Sequence, residues 1–431
     1  MKYKKIFALS ISLISLGLNS CTNPIDILFP SSSTPSSSLS PSSSHSEESH
    51  LTSSSTPTTF LTQSSSQSEE SHLTSSELNY DGIEFHFLTL GNYKAGDSTL
   101  IKSGDVEILI DAGSSTSSID TLKEHINSYC SDGKLEYVIA THAHEDHIAA
   151  FTSTSSKKGI FESYEIGTII DYALTDKTTQ IKTKYEEYRQ KAVEKGAIHH
   201  DASYYFTNEV ANEFNSIKIS ETITMDILYN KYYFEHSSDE NNYSVCIMIN
   251  QGDNHFLLTG DLEKDGEEEM VKYYSSRNGL PHVKLFKGGH HGSNTSSNES
   301  LLSIITPEVC AVCCCAGTNE YTPNTLNQFP TQAFIDRIAK YTTNVFVTSR
   351  AKYDEDGNSL NDFEDLNGVI SVYSSVDEFY VSCSKSNTVL KDSDWFNSTI
   401  RRRTKKDDEG ELGICRTWPD IKSMYDAVIT R

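Results

Sequence analysis

The chain has 431 residues and a formal net charge of −24, so it is long enough for one large domain or two domains of ordinary size. Nucleic-acid-binding domains usually present a basic face, and this acidic balance therefore argues against an extended nucleic-acid surface. A compact site that holds a single phosphate group remains compatible with the charge.

The first 20 residues predict a signal peptide. They contain three lysines and an apolar stretch from Ile6 to Leu18, which is too short to span a membrane comfortably. Cys21 follows in a context that resembles a bacterial lipobox, and we expect it to become the lipidated N-terminus. The alternative is an ordinary secretory signal with an incidental cysteine. The lipobox interpretation places the protein at the outer face of a bacterial cell membrane, held there by a lipid anchor.

Residues 21–78 are dominated by serine and threonine. The segment 42–54 recurs almost unchanged at 64–76, with Gln67 in the place of His45. Such a composition buries too little apolar surface to offset the entropy of ordering the chain. We therefore predict a disordered tether between the lipid anchor and the folded part.

Strands and helices alternate from residue 79 onwards. Two strand-rich halves with helices outside predict an α/β fold, an αββα sandwich over residues 79–350, with a small β-containing C-terminal extension, residues 351–431, packed on it. His199 and His200 are expected in a solvated loop, and the acidic segment 354–367 is expected to be rich in turns. Apolar runs predict strands at 106–110, 137–140, 255–259, 283–286 and 309–314, helical spacing predicts helices at 118–128, 175–194, 300–305 and 332–341, and residues 369–373 and 378–382 alternate like a hairpin.

Four candidate metal ligands stand within six residues, directly after the strand 137–140: His142, His144, Asp146 and His147. Side chains two apart in extended backbone point the same way, so His142 and His144 predict one ion site. Asp146 and His147 lie where the chain turns, and they predict a second ion site. Imidazole and carboxylate are usual ligands of zinc and also suit manganese or iron. The alternative interpretation is a histidine-rich surface turn.

Three other predicted strands also end in candidate site residues. An aspartate at the end of the strand 106–110 is placed to accept a ring N–H from a ligand histidine. The strands 255–259 and 283–286 each lead through glycines to further candidate residues, and we expect all of them to converge on one edge of the domain. The residues delivered in this way are Asp111, Asp261, Lys287, His290 and His291.

These motifs resemble the metallo-β-lactamase superfamily. The particular resemblance is to the branch that contains the metal-dependent domain of the DNA-uptake protein ComEC and related surface phosphodiesterases. It extends over about residues 80 to 350 and is carried by the segments 84–88, 94–101, 109–113, 142–147, 241–245, 258–261 and 290–293.

The resemblance implies a ligand set for two ions. His291 is favoured over His290 as a ligand, and His290 is then a substrate contact. Many superfamily members place a third first-site histidine before the strand that precedes the bridging aspartate, whereas residues 239–244 contain none here, as in the ComEC branch. The implied set is His142 and His144 on the first ion, Asp146, His147 and one of His290 and His291 on the second, and Asp261 between them.

The function implied by the resemblance is that of a surface-anchored metal-dependent hydrolase with one or two Zn²⁺ ions, or Mn²⁺. A phosphodiesterase acting on nucleic acid or another phosphate ester is favoured. The ions would lower the pKa of a shared water and supply hydroxide near neutral pH, with Asp146 orienting it. Lys287, His290 or Ser293 would stabilise the developing charge. The alternatives are hydrolysis of a β-lactam or lactone and a non-catalytic surface lipoprotein that binds its ligand; the sequence leaves the oligomeric state open.

Overall fold

The computed structural model describes residues 82–207, 215–354, 358–397 and 417–420. The predicted signal peptide, the lipidation site Cys21 and the tether lie outside these residues. Two eight-stranded mixed sheets, with helices on their outer faces, form the α/β sandwich that the sequence predicts. Within the described ranges, no helix is both long and apolar enough to cross a membrane.

The first sheet carries the N-terminal half of the fold and the C-terminal hairpin. Its strands are β1 (Ile83–Phe87), β2 (Thr99–Ser103), β3 (Val106–Ile110), β4 (Lys134–Ala140), β5 (Glu165–Asp171), β6 (Ile198–Asp201), β15 (Ile370–Ser374) and β16 (Phe379–Cys383), in the order β16-β15-β1-β2-β3-β4-β5-β6. Strands β3 to β6 are parallel, so their C-terminal ends meet at one edge.

The second sheet has the same size. Its strands are β7 (Ser216–Lys218), β8 (Ile223–Leu228), β9 (Cys246–Gln251), β10 (Asn254–Leu258), β11 (Leu285–Lys287), β12 (Val309–Ala316), β13 (Val345–Tyr353) and β14 (Ser359–Asp365), in the order β14-β13-β12-β11-β10-β9-β8-β7. Strands β10 to β13 are parallel, which again brings their C-terminal ends to one edge.

The longer helices cover the outer faces of the sheets with their apolar sides. In the first long helix Ile119, Leu122 and Ile126 are fully buried at helical spacing. The helix that follows β5 begins after Thr179, whose side chain accepts the N–H of Lys182. The helices are α1 (Ile119–Tyr129), α2 (Glu145–Ile148), α3 (Ile160–Ser163), α4 (Gln180–Glu194), α5 (Lys264–Ser275), α6 (Glu299–Ile305), α7 (Gln332–Ile338) and α8 (Asp394–Asn397).

The main core lies between the two sheets. Phe85 from the first sheet meets Phe256 from the second with ring centroids 4.7 Å apart. Strand β12 is buried along all eight residues because it has a parallel neighbour on each side and is covered on both faces. Cys313 points into the inter-sheet core and Cys314 into the core under the helices, so these thiols pack as small apolar side chains.

Two local predictions are wrong. His199 and His200 lie on strand β6 rather than in a solvated loop, and His199 Nε2 is 2.9 Å from a carboxylate oxygen of the buried Asp171. The acidic segment 354–367 was expected to be rich in turns, but residues 359–365 form β14, because β13 offers them an antiparallel partner.

Candidate metal centre

The two parallel edges face one another, and the candidate site lies where they meet. Strand β4 ends at Ala140, and the chain then turns so that α2 begins at Glu145. Strand β10 ends at Leu258 and reaches Asp261 through Gly260, whose φ of +57° favours glycine. A Cβ on Gly260 would lie 2.9 Å from the Cβ of Thr141, so the two loops touch.

The first predicted ion site consists of His142, His144 and Asp261. His142 Nε2 lies 2.9 Å from His144 Nδ1 and 3.9 Å from Asp261 Oδ2. Zinc–nitrogen bonds are about 2.0–2.1 Å long, so nitrogens this close to each other fit a shared ion. His142 is fully buried, which removes competing water.

The second predicted ion site is more completely enclosed. His147 Nε2 is 3.1 Å from Asp261 Oδ2, and His291 Nε2 is 3.4 Å from the same oxygen and 3.3 Å from Asp146 Oδ2. Asp261 Oδ2 therefore stands between the two groups of histidines, where a bridging ligand would stand. The structure places His291, rather than His290, among the second-site residues.

Neighbouring acceptors hold the ligand rings in one orientation. His147 Nδ1 is 2.7 Å from Asp111 Oδ2, and both the N–H and the hydroxyl of Thr141 donate to Asp111 at 2.8 Å. His291 Nδ1 lies 3.1 Å from the carbonyl oxygen of Cys313. When the Nδ1 proton is held in this way, Nε2 is left free to bind a metal ion. Asp111 thus occupies the supporting position that the sequence predicts for it.

Asp97 is a site residue that the sequence reasoning missed. Its carboxylate is buried against the Nζ of Lys287, and it lies 3.6 Å from His291 Nδ1 and 3.8 Å from His147 Nδ1. These are the nitrogens opposite to the Nε2 atoms that face Asp261, so Asp97 supports the ligand rings from behind. The only sequence signal was its position next to Gly96, two residues before β2, inside one of the segments that carry the resemblance.

Lys287 lies beneath the ligands rather than at the mouth of the site. Besides Asp97, its ammonium group contacts the carbonyl oxygen of Gly260 at 3.2 Å and Asp261 Oδ1 at 3.9 Å. Its side chain is only 3% exposed. The predicted role of Lys287 in stabilising developing charge therefore has to act through Asp97 and Asp261, because a substrate does not reach its Nζ from solvent.

The histidines of the two sites differ in their protonation. Burial lowers the pKa of His144 to about 4 and, together with the nearby His147, holds the pKa of His142 well below its usual range. Burial also opposes the charged form of His291, but Asp261 and a second carboxylate raise its pKa to about 10, and Asp261 likewise raises the pKa of His147. The second site is thus strongly anionic around its imidazoles, which suits a divalent cation.

The mouth of the centre is lined by His290, Tyr321 and Phe329. His290 has a φ of +47°, and its Nε2 lies 3.8 Å from Asp261 Oδ2, with Thr295 and Glu263 at 3.0 and 3.5 Å from its Nδ1. The Tyr321 hydroxyl donates to Asp146 Oδ2 at 3.1 Å, and Phe329 packs between Tyr321 and the paired histidines.

A comparison with known families agrees with this architecture. Residues 92–153, which contain α1, β4 and the first four predicted ligands, match the model of the metallo-β-lactamase superfamily. Over these residues the chain is similar to the metallo-β-lactamase superfamily. Imidazole and carboxylate groups bind divalent metal ions, and the donors found here fit such ions. The coarse prediction of a metal-dependent hydrolase fold is therefore confirmed.

The resemblance to the ComEC branch is also confirmed. The chain is 28% identical over 138 residues to ComE operon protein 3 of Bacillus subtilis, which is 32% of this chain and 16% of that protein. It is 35% identical over 100 residues to competence protein ComA of Neisseria gonorrhoeae, which is 23% of this chain and 13% of the relative. The chain thus spans less than a fifth of the length of either relative.

One solved structure that the comparison matches is the metallo-β-lactamase fold protein YhfI of Bacillus subtilis. The two are 14% identical, with a TM-score of 0.28, and the match covers 47% of this chain and 70% of YhfI.

Proposed function

We propose that this metallo-β-lactamase-like domain is a phosphodiesterase that works with two divalent ions, Zn²⁺ or Mn²⁺, at the outer face of a bacterial membrane. One observation carries the proposal. Four histidine side chains surround a single carboxylate oxygen, Asp261 Oδ2, with nitrogens 3.1 Å (His147), 3.4 Å (His291), 3.8 Å (His290) and 3.9 Å (His142) away. A purely structural carboxylate has no need of so many buried imidazoles.

Different residues would hold the two ions and contact the substrate. His142, His144 and Asp261 would hold one ion, and Asp146, His147, His291 and the same Asp261 the other. Bound divalent ions lower the pKa of water and polarise a phosphoryl oxygen. His290 stands outside the second-site group with its ring 21% exposed, so it is placed to donate a hydrogen bond to a substrate oxygen.

The charge of the centre suits an anionic substrate better when both ions are bound. Asp97 and Lys287 cancel one another, which leaves the carboxylates of Asp111, Asp146 and Asp261 in the centre and that of Glu263 beside His290. Two divalent ions bring four positive charges against these four negative ones, whereas a single ion leaves two negative charges uncompensated. A doubly loaded centre therefore repels a phosphodiester much less than a singly loaded one.

The proposed location at the outer face of the membrane rests on the predicted lipid anchor at Cys21 and the predicted tether of residues 21–78. Two of the similar proteins are named for the competence system, which supports a role in the cell envelope and a nucleic-acid phosphodiester as one substrate. The strongly acidic chain favours a short or single-stranded substrate over a long duplex, because repulsion grows with the number of phosphates near the surface.

The proposal is tested by a panel of substrates. Metal-loaded full-length protein is assayed with bis-p-nitrophenyl phosphate, single-stranded DNA and a β-lactam. We expect cleavage of the phosphodiesters and none of the lactam. His290→Ala is expected to reduce phosphodiester cleavage about 100-fold, as the loss of one charge-stabilising donor does in other enzymes. His282→Ala, which removes a histidine paired with Glu308, is the matched control and leaves the rate unchanged. Hydrolysis of the lactam alone would refute the proposal.

A further inference from the structure

Residues 239–244 connect the two halves of the first predicted ion site. Glu240 Oε1 accepts the N–H of Ala143, the residue between His142 and His144, at 3.3 Å. At the other end of the segment, Ser244 Oγ accepts the N–H of Asp261 at 3.1 Å. The segment is therefore attached both to the loop that carries the two histidines and to the aspartate that stands between the sites. It is also the segment in which this chain has no histidine.

Asn241, in the middle of this segment, has a buried oxygen with no partner. Its side-chain Nδ2 donates to Glu263 Oε1 at 3.1 Å, and the residue is 5% exposed. Its Oδ1 accepts no hydrogen bond from any residue that the structure describes. A buried amide oxygen left unsatisfied costs about 1–3 kcal/mol. Asp261 Oδ1 and His291 Nε2, both at the centre, are unsatisfied in the same way.

The orientation of the Asn241 carboxamide is set by its neighbour. The oxygen and nitrogen of an amide are assigned from the hydrogen-bond network. Glu263 carries an acceptor and its carboxylate also lies 3.5 Å from His290 Nδ1, so the NH₂ group of Asn241 must face Glu263. The oxygen is then turned away from Glu263, so it is the atom of this side chain that is free to bind a metal ion.

We propose that Asn241 Oδ1 is a ligand of the first metal ion, in the position for which this chain lacks a third histidine. This inference rests on the proposed function only in requiring that the first site is loaded. The first site would then offer two imidazole nitrogens from His142 and His144 and two oxygens from Asp261 and Asn241. Carboxamide oxygen is a harder ligand than imidazole, so the first site suits Mn²⁺ better, and holds Zn²⁺ less tightly, than a three-histidine site.

The test is a metal titration of the full-length protein, followed by calorimetry and by the visible absorption of bound Co²⁺. Wild type is expected to bind two ions per chain. Asn241→Ala is expected to lower the affinity for the first-site ion by about 10- to 100-fold, which is at least the effect of losing an outer-sphere partner. The affinity for the second-site ion should be unchanged. Asn241→His is expected to restore the ion, with a preference for Zn²⁺ over Mn²⁺ larger than that of wild type.

The matched control is Asn242→Ala. Asn242 Oδ1 accepts the N–H of Glu263 at 3.3 Å and its Nδ2 donates to Ser237 at 3.1 Å, so this variant loosens the same segment without touching the unpartnered oxygen. Thermal unfolding of the metal-free variants confirms that each is folded. We expect Asn242→Ala to keep both ions.

Two results would overturn the inference: two ions bound to Asn241→Ala with wild-type affinity, or equal loss of the ion in the Asn241 and Asn242 variants. Because the readout is metal binding, it is separate from the proposed activity. A wild type that binds two ions but cleaves no phosphodiester would refute the proposed function and leave the role of Asn241 standing.

Discussion

Replacing Lys287 by methionine would leave the Asp97 carboxylate buried without its partner. The side chains of the pair are 3% and 2% exposed, so water cannot take over the lost contact. Removing one member of a buried ion pair typically costs about 3–5 kcal/mol. We therefore expect Lys287→Met to lower the free energy of unfolding of the metal-free protein by about that amount. The loss is expected to be smaller in zinc-saturated protein, because the cation supplies part of the missing charge.

The assay is a double-mutant cycle in urea with Lys287→Met, Asp97→Asn and both together. Each single variant leaves one charge of the pair buried without its partner, whereas the double variant removes both charges. The losses of unfolding free energy in the two single variants should therefore not add, and we expect a coupling of about 2 kcal/mol or more. Lys284→Met is the control: its Nζ pairs with Glu308 at 2.6 Å with both side chains about one-third exposed, and such pairs contribute about 0–1 kcal/mol. A coupling below about 0.5 kcal/mol would refute the reasoning.

Three further predictions follow from other buried groups. Burial raises the pKa of Glu267 from 4.5 to about 7 in the folded protein, so the free energy of unfolding should fall by about 3 kcal/mol as pH rises from about 4.5 to about 7. Glu267→Gln should abolish this slope in urea unfolding, and an unchanged slope would contradict the burial argument. The carboxylates around His147 and His291 raise the pKa of both histidines, so binding of the second ion at pH 7 should release about two protons. Calorimetry would show this release as a binding heat that depends on the buffer, and a heat independent of the buffer would contradict the prediction. Asp111→Ala should weaken the second-site ion about 10- to 100-fold in a chelator competition, since His147 loses the acceptor of its Nδ1, and wild-type affinity would exclude that role.

The parts of the site that lie close together in sequence could be predicted from it. A strand followed by a turn presents His142, His144, Asp146 and His147 within one loop, and the alternation of apolar runs with glycine turns predicts which edge they share. The two-layer fold follows from the same alternation, because four of the parallel strands, β3, β4, β10 and β11, are each followed by a site residue.

The parts that depend on distant partners could not be predicted. Asp97 meets Lys287 across the two sheets, 190 positions away in the chain, and no local pattern marks a buried ion pair. His199 and His200 belong to no ligand pattern in the sequence, and the buried partner of His199, Asp171, lies on a different strand. Asn241 differs from its polar neighbours only in the unpartnered oxygen, which a sequence does not reveal.

The central claim is that hydrolysis depends on ions held around Asp261. The most direct test strips the full-length protein with a chelator and follows bis-p-nitrophenyl phosphate cleavage as Zn²⁺ or Mn²⁺ is added in equivalents. We predict no cleavage without metal, little at one ion per chain, a rise as the second ion binds, and none in Asp146→Ala/His147→Ala. Full activity in the stripped protein, or equal rates in wild type and that variant, would contradict the account.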